Sequence, residues 1–474
     1  MLRKLYAVLG SAGLALLAAQ AQAQANAPVT NTPVTPTVPA QTQKTELVPV
    51  SPVPAAPAPG PRAVERVDKG ERVDKGESLE DVSKIAHAAQ TLAEYVRIYG
   101  ILRPIASFSG RAVESFSNPN QSAPTAAANP AVATLPNDSR LSFQVAQTRF
   151  GMWIGEKTPL RGHIEFDFID FARSSPTVQS LIRLRIATIE YDPIANLTLI
   201  AGQDWDLYAP INAHGMNLVG THFQSGNTGF MRNQLKVLYK LNDKIELAGA
   251  IGLAGNNAAF RDASLELGRV PTFAVRATAL LGKLGKLGVN GIATRLRLSP
   301  GASERYTFSG AAGIFGELAP GDTTQLRFEG YVAQNLANLG ALALSQATLA
   351  NDIREIGGFV SVRQTFLNRH AFYGSFGTAQ VFNGGDVAPS YAYAAAAAGA
   401  TPALGTATLA GTGPGIRWND KALLGYDFKP VKALAFGLEV YWFRTRHQLA
   451  EVDTSRVNAT RKAFGADVGM VYSF

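Results

Sequence analysis

The chain has 474 residues, of which 46% are hydrophobic, 17% are charged and none is cysteine. Charged residues make up about a quarter of an ordinary soluble domain, so this content is low, and the missing cysteine excludes a disulfide framework, a thiolate metal site and a cysteine nucleophile. A mean hydropathy of +0.02 without long apolar runs excludes a bundle of transmembrane helices, each of which needs about 20 apolar residues.

Met1 to Ala23 has the parts of a secretory leader: a basic start at Arg3 and Lys4, a short apolar stretch from Leu5 to Ala19, and the small-x-small cleavage site Ala21-Gln22-Ala23. No cysteine follows, so a lipoprotein anchor is not expected. Forty-four Lys and Arg against 36 Asp and Glu give a net charge of +8. That balance can signal nucleic acid, but export argues against a cytosolic nucleic-acid partner.

Gln24 to Pro61 is low-complexity Pro, Ala, Thr and Val, which cannot bury a core and favours extended polyproline II. The hexapeptide Arg66-Val67-Asp68-Lys69-Gly70-Glu71 is repeated as Arg72-Val73-Asp74-Lys75-Gly76-Glu77. Each copy balances two bases against two acids around a glycine, as a solvated linker does, so residues 24–77 are assigned as a disordered tether. From Ser78 to Glu94 a short amphipathic helix is predicted. Ser78 caps it, Asp81 suits its first turn, and Val82, Ile85, Ala89, Leu92 and Ala93 fall at helical spacing.

Beyond about Tyr95 the period changes to two. Ile164, Phe166 and Phe168 alternate with His163, Glu165 and Asp167; Ile182, Leu184 and Ile186 with Arg183 and Arg185. Leu235, Val237 and Tyr239 alternate with Gln234, Lys236 and Lys240; Ile292, Leu296 and Leu298 with Arg295 and Arg297; Leu326, Phe328 and Val332 with Arg327, Glu329 and Tyr331. Strands of this kind have one apolar and one polar face. In an exported chain, repeated many times, they predict an all-β fold: a transmembrane antiparallel β-barrel over 95–474, which leaves no unpaired backbone edge in lipid. The last segment supports it. Phe464, Ala466, Val468, Met470, Tyr472 and Phe474 alternate with small or polar residues up to the terminal aromatic, and Met470, Tyr472 and Phe474 are the candidate signal for the barrel-assembly machinery.

Sixteen strands are predicted, with short turns such as 192–196 and 241–243 alternating with long connections at 118–139, 209–231 and 383–414. An eight-stranded barrel is filled by its own side chains, whereas sixteen enclose an aqueous lumen. The polar faces would line it with the bases Arg183, Arg185, Arg232, Lys236, Arg276, Arg295, Arg297, Arg327 and Arg363 and the acids Glu165, Asp167, Glu329 and Glu355. From residue 95 onward there are 35 Lys and Arg against 27 Asp and Glu, so the whole surplus lies in the barrel region. A basic lining favours anions, and arginine offers carboxylates a two-pronged donor. The opposing reading is that these arginines pair with wall acids or reach lipid headgroups from the rim.

The connection near 209–231 is rich in glycine and amides and is predicted to fold into the lumen as a constriction. It presents Asn212, His214, Asn217, His222, Gln224 and Asn227, with Asp204 and Asp206 facing the basic wall to make a transverse field. The alternative for the same residues is an ordinary external loop. Two loop histidines serve more often as hydrogen-bonding groups than as metal ligands, so no metal and no cofactor are predicted.

Several stretches resemble a known family. Tyr95-Val96-Arg97-Ile98-Tyr99-Gly100 resembles a porin first strand, Arg140-Leu141-Ser142-Phe143 with Gln147-Thr148-Arg149-Phe150-Gly151 the next, and Ile200-Ala201-Gly202-Gln203-Asp204-Trp205 the strand entering a constriction loop. Together with Phe474 they resemble trimeric bacterial porins of the DcaP-like kind over about residues 95–474. The resemblance implies an outer-membrane homotrimer of sixteen-stranded barrels that admits small, often anionic solutes by passive diffusion. Ser, His and Asp lack any triad spacing, so an enzyme is not expected. The other functional alternative is a structural barrel tethered to peptidoglycan or a partner through residues 24–77.

Overall fold

The computed structural model describes residues 95–110, 139–169, 182–208, 210–216, 221–229, 231–253, 270–298, 305–339, 343–344, 347, 350–387, 415–448 and 460–474. The predicted leader, tether and helix, Asn217, and most of the connections 118–139 and 383–414 lie outside them.

Sixteen strands close into an antiparallel barrel, as the period-two alternation predicts. β1 is Val96–Leu102 continued by Ile105–Ser109, and β2 is Arg140–Gln144 continued by Arg149–Ile154. Pro104 interrupts the first of these because it has no N–H for the ladder. Both halves of β1 pair with the same neighbours, Tyr99 with Gly151 and Ser107 with Ser142 on β2, Ile101 with Ser473 and Ser109 with Gly465 on the last strand. Then follow β3 (Leu160–Asp167), β4 (Arg183–Ile194), β5 (Leu197–Trp205), β6 (Met231–Asn242), β7 (Ile245–Gly252), β8 (Thr272–Leu280), β9 (Gly285–Leu298) and β10 (Arg305–Leu318). β11 (Thr324–Gln334), β12 (Arg354–Phe366), β13 (His370–Val381), β14 (Ile416–Val431), β15 (Leu434–His447) and β16 (Thr460–Ser473) complete the cylinder. Each strand pairs with the next, and the β1–β16 pairing removes the last free edge.

Turns at 155–159, 195–196, 243–244, 281–284, 319–323, 367–369 and 432–433 lie at one end and the long connections at the other. Both termini of the barrel are at the short-turn end, where the Gly100 N–H donates to Phe474 O at 3.0 Å and the Phe474 N–H returns to Gly100 O at 3.1 Å.

Alternation sorts the side chains. On β16 the outward Phe464, Val468, Met470, Tyr472 and Phe474 are exposed, while Ala463 and Asp467 are buried inside. One strand is reversed relative to its sequence pattern. On β9, Asn290, Ile292, Thr294 and Leu296 are buried inward, whereas Val289 and Arg295 are exposed on the outer face. Arg295 therefore does not line the lumen; its guanidinium lies 4.7 Å from the ring centroid of the exposed Tyr306. The cause is an apolar partner inside the barrel. After β11 the chain turns inward at Leu336, Ala337 and Leu339, which lie against Ile292, Ala248, Ala250 and Ala274, together with Leu207 and Tyr208. Burying each such leucine contributes about 1.5–3 kcal/mol, so an apolar face here points in. A one-residue change of phase exchanges the two faces of a strand. The side chain of Arg297 is outside the described residues.

Two rows show how the inner wall is tied across strands. Tyr99, Gly151 and Glu165 are register partners on β1, β2 and β3, and Tyr373, Gly425 and Glu439 repeat the row on β13, β14 and β15. The ring crosses the glycine and its hydroxyl donates to the carboxylate two strands away, at 2.9 Å and 3.2 Å. A Cβ at Gly151 or Gly425 would fall 2.2 or 2.0 Å from the ring. Only glycine leaves room for it.

Candidate functional site

The inner face of β1–β6 carries a dense set of ion pairs. Arg183 donates to Asp167 through Nε at 2.9 Å and Nη2 at 2.6 Å; Arg185 donates to Glu165 at 2.6 Å and to Asp167 at 3.0 Å. Arg185 and Asp167 are almost without solvent exposure. The planar fork of arginine matches a carboxylate bidentately, so the two arginines at the head of β4 are held by the acids that end β3. They face inward with their charge matched. Glu165 also accepts from Tyr99, and His163 stacks on Trp153 with centroids 3.9 Å apart.

Asp204 and Asp206 do not look across the lumen at this wall. Lys236 donates to Asp204 at 2.6 Å, and Arg232 forks onto Asp206, with Nη2 to Oδ2 at 2.8 Å. Asp204 lies near the end of β5 and Asp206 just past it, and register puts Asp204 opposite Arg232, with Lys236 four pairs along on the same face of β6. The nearest cations are on the adjacent strand, so the acids pair there rather than projecting a transverse field. Arg232 is buried, and its Nη2 also donates to Leu339 O at 3.3 Å. Arg276 pairs with Glu246 at 3.1 Å.

The described residues of the segment after β5, 206–208, 210–216 and 221–229, lie inside the barrel and dock on the opposite wall. Asn212 is exposed on it, and its carbonyl accepts from Arg327 Nη1 at 3.4 Å. The His214 N–H donates to Ser361 Oγ at 3.0 Å, and its ring nitrogens meet Ser361 Oγ at 2.9 Å and Gln325 Oε1 at 3.3 Å. Glu439 accepts the Met216 N–H at 2.8 Å, Lys421 Nζ donates to Thr221 O at 2.7 Å, and Asn419 donates to Gln224 O at 2.9 Å. His222 meets Ser375 Oγ at 2.7 Å and stacks on Phe359, and Asn227 donates to Ile211 O at 2.7 Å and to Glu329 at 3.3 Å. Glu329 is thus covered by this segment and does not face water. Glu355 is covered likewise, accepting from Tyr331 at 3.0 Å and from the Leu344 N–H at 3.2 Å. At the tip, a Cβ on Gly377 would stand 2.2 Å from Ser225 O. Burial pulls the His214 imidazole down to about 4, with Arg327 and Arg363 adding to the effect. Burial, then Lys421, holds His222 far below the usual histidine range.

Lys421, Glu439, Arg103 and Arg149 are inward-facing groups that the sequence pattern did not single out. Glu439 alone carried a signal, as one acid between Leu438 and Val440. Lys421 is masked by its neighbours Asn419 and Asp420, which fill both faces of β14. Arg103 sits at the proline break of β1, where alternation is lost.

Near the short-turn end lies a polar cavity of about 360 Å³. Arg327, Arg363, Arg369 and Lys429 line it with His214 and Asp427. Arg327 pairs with Glu317 at 2.6 Å and Arg363 with Asp427 at 2.9 Å. Arg369 and Lys429 are exposed and have no carboxylate partner among the described residues. Here cations exceed acids.

No sequence family and no curated protein matches the chain. Solved structures do. The chain shares its fold with the outer-membrane channel DcaP of Acinetobacter baumannii (12% identity, 80% of this chain and 97% of that one, TM-score 0.58). It is also similar to the anion-selective porin from Comamonas acidovorans (10%, 80% and 99%, 0.51) and to OprB of Pseudomonas putida (11%, 83% and 97%, 0.50). The architecture is that of the outer-membrane porins.

Proposed function

We propose that this chain is an outer-membrane porin, a water-filled channel for passive diffusion of small hydrophilic solutes with a preference for anions. What carries the proposal is a closed barrel of sixteen strands, apolar outside and polar inside, with a chain segment laid along its inner wall. A sheet of that size closes around more space than its own side chains fill. The segment 206–229 serves as the constriction, anchored by Lys421, Glu439, Ser361 and Ser375. Diffusion needs no cofactor; the wall sets entry by local concentration and barrier height.

Anion preference rests on the cavity at the short-turn end. Arg183 and Arg185 are neutralised where they stand, and the unmatched charge is on Arg369 and Lys429. Cations at a confined mouth raise the local anion concentration and repel cations. The leader-like start and the terminal aromatic strand fit export and insertion by the barrel-assembly machinery, with both termini periplasmic. The resemblance to DcaP-like porins suggests a homotrimer.

Conductance and reversal potential of the purified protein in a planar bilayer under a salt gradient test both parts. Discrete conductance steps with a reversal potential on the anion side are expected. A silent bilayer would overturn the channel, and a cation-side potential the preference.

A further inference from the structure

The outer face at the middle of β12–β16 is apolar up to one row. Register sets Phe376, Ala422, Trp442 and Phe464 side by side across β13–β16. Together with Val362, Gly374, Leu424, Val440, Ala466 and Phe108 below, they border a shallow groove of about 780 Å³. Its floor is made of small residues (Gly374, Ala422, Ala466), and aromatic rings form its sides.

One row nearer the long-loop end, about 7 Å further along each strand, the chemistry changes. Thr378, Asp420, Arg444 and Lys462 are register partners there, and Trp418 and Arg446 follow in the next row. Asp420 is an acid on the lipid-facing side with almost no exposure. It accepts from Thr378 Oγ1 at 2.7 Å, from Trp418 Nε1 at 2.7 Å and from Arg444 Nε at 2.7 Å. The Arg444 guanidinium is also flanked by Trp418 and Trp442, 5.1 and 5.8 Å from their centroids. Arg444 is thereby fixed in direction, a rigid donor at the edge of the apolar band. Arg446 and Lys462 beside it are exposed and have no carboxylate partner among the described residues. Three cations against one satisfied acid stand directly above a groove shaped for a hydrocarbon chain.

We propose that this face holds an anionic phospholipid, one whose headgroup carries a phosphate and no compensating cation, its acyl chain in the groove and its phosphate on Arg444, Arg446 and Lys462. A positioned arginine with two exposed cations complements a phosphate oxygen set, and tryptophans at this height favour the boundary between hydrocarbon and headgroup. A zwitterionic headgroup would set its own ammonium group against the cation row, and a purely aqueous anion would have no use for the groove. Asp420 acts as a positioning residue, through Arg444.

Native mass spectrometry of the full chain in micelles doped with phosphatidylglycerol, phosphatidylcholine or inorganic phosphate tests this. Phosphatidylglycerol should stay bound, phosphatidylcholine should not, and inorganic phosphate should neither bind nor displace the lipid. Arg446→Gln with Lys462→Gln should weaken retention about tenfold, and Ala422→Phe should abolish it with the cations intact. Because two different substitutions probe the site, failure of one to fold leaves the other decisive. Both variants should keep wild-type conductance, which separates this site from the channel. Equal retention of both lipids, unchanged retention in the folded double variant, or cross-links at position 462 joining two copies of the chain would overturn the proposal.

Discussion

Two parts of the inner wall carry the same residue type to opposite effect. On β4, Arg183 and Arg185 meet Asp167 and Glu165 in a nearly closed network. At the turn ends of β12–β14, Arg369 and Lys429 extend into an open cavity without acids of their own. The first pair has its charge matched in place and acts as structure; the second supplies field. An arginine on an inward face is therefore not yet a selectivity residue. What decides is whether a carboxylate on the next strand reaches it first.

The sharpest way to break that contrast is to neutralise each pair. Arg183→Gln with Arg185→Gln takes the hydrogen-bonded arginines from the buried Asp167 and Glu165, a loss of about 3–5 kcal/mol. The expected result is a large fall in the thermal unfolding midpoint of the barrel in detergent. Arg369→Gln with Lys429→Gln should leave that midpoint unchanged and lower the anion-to-cation permeability ratio about twofold. A selectivity loss from the first variant at unchanged stability would contradict the assignment of roles. For the wild-type chain the ratio should also shrink between 0.1 M and 1 M salt, as the screening length falls from about 10 Å to about 3 Å.

Much of the barrel was legible because period two is dictated by lipid on one side and water on the other. Strand number, turn alternation and the outward Met470, Tyr472 and Phe474 all follow from that single asymmetry. It fails where the inside is not water. β9 was read in the wrong phase because Ile292 and Leu296 face Leu336, Leu339 and their neighbours, an apolar lumen that no local pattern announces. Ion pairing was illegible for a related reason. Alternation gives the face on which Arg232, Lys236, Asp204 and Asp206 lie, but pairing depends on register, which β-bulges such as that between Glu165 and Phe166 shift. The anchors of the inserted segment, Lys421 and Glu439, are about 200 residues from what they hold, and single-sequence spacing carries no information across that distance.

The inserted segment offers a smaller test of the same wall. Gly377 admits Ser225 O where a methyl group would collide with backbone. Gly377→Ala should lift the tip off β13 and raise single-channel conductance, with the barrel still folded by its migration on gels before and after heating. An unchanged conductance would mean that the segment does not narrow the path.

Acid should loosen a second contact of the segment, that of His214 with Ser361, more gently. His214 is neutral when docked, with its pKa down to about 4, against an ordinary value of 6.5 when released. Above pH 6.5 both states are neutral and docking is unaffected. As pH falls from 6.5 towards 4 the released form takes up a proton that the docked form resists, so docking weakens by about 1.4 kcal/mol per unit. Arg327 and Arg363 face the ring, and their positive charge disfavours its protonation in the docked state. Open-channel noise recorded from pH 7 to pH 5 should therefore grow, and His214→Gln, which keeps a hydrogen-bonding side chain without the titration, should flatten the curve. If the variant responds to acid as the wild type does, the contact at Ser361 is not where the segment yields.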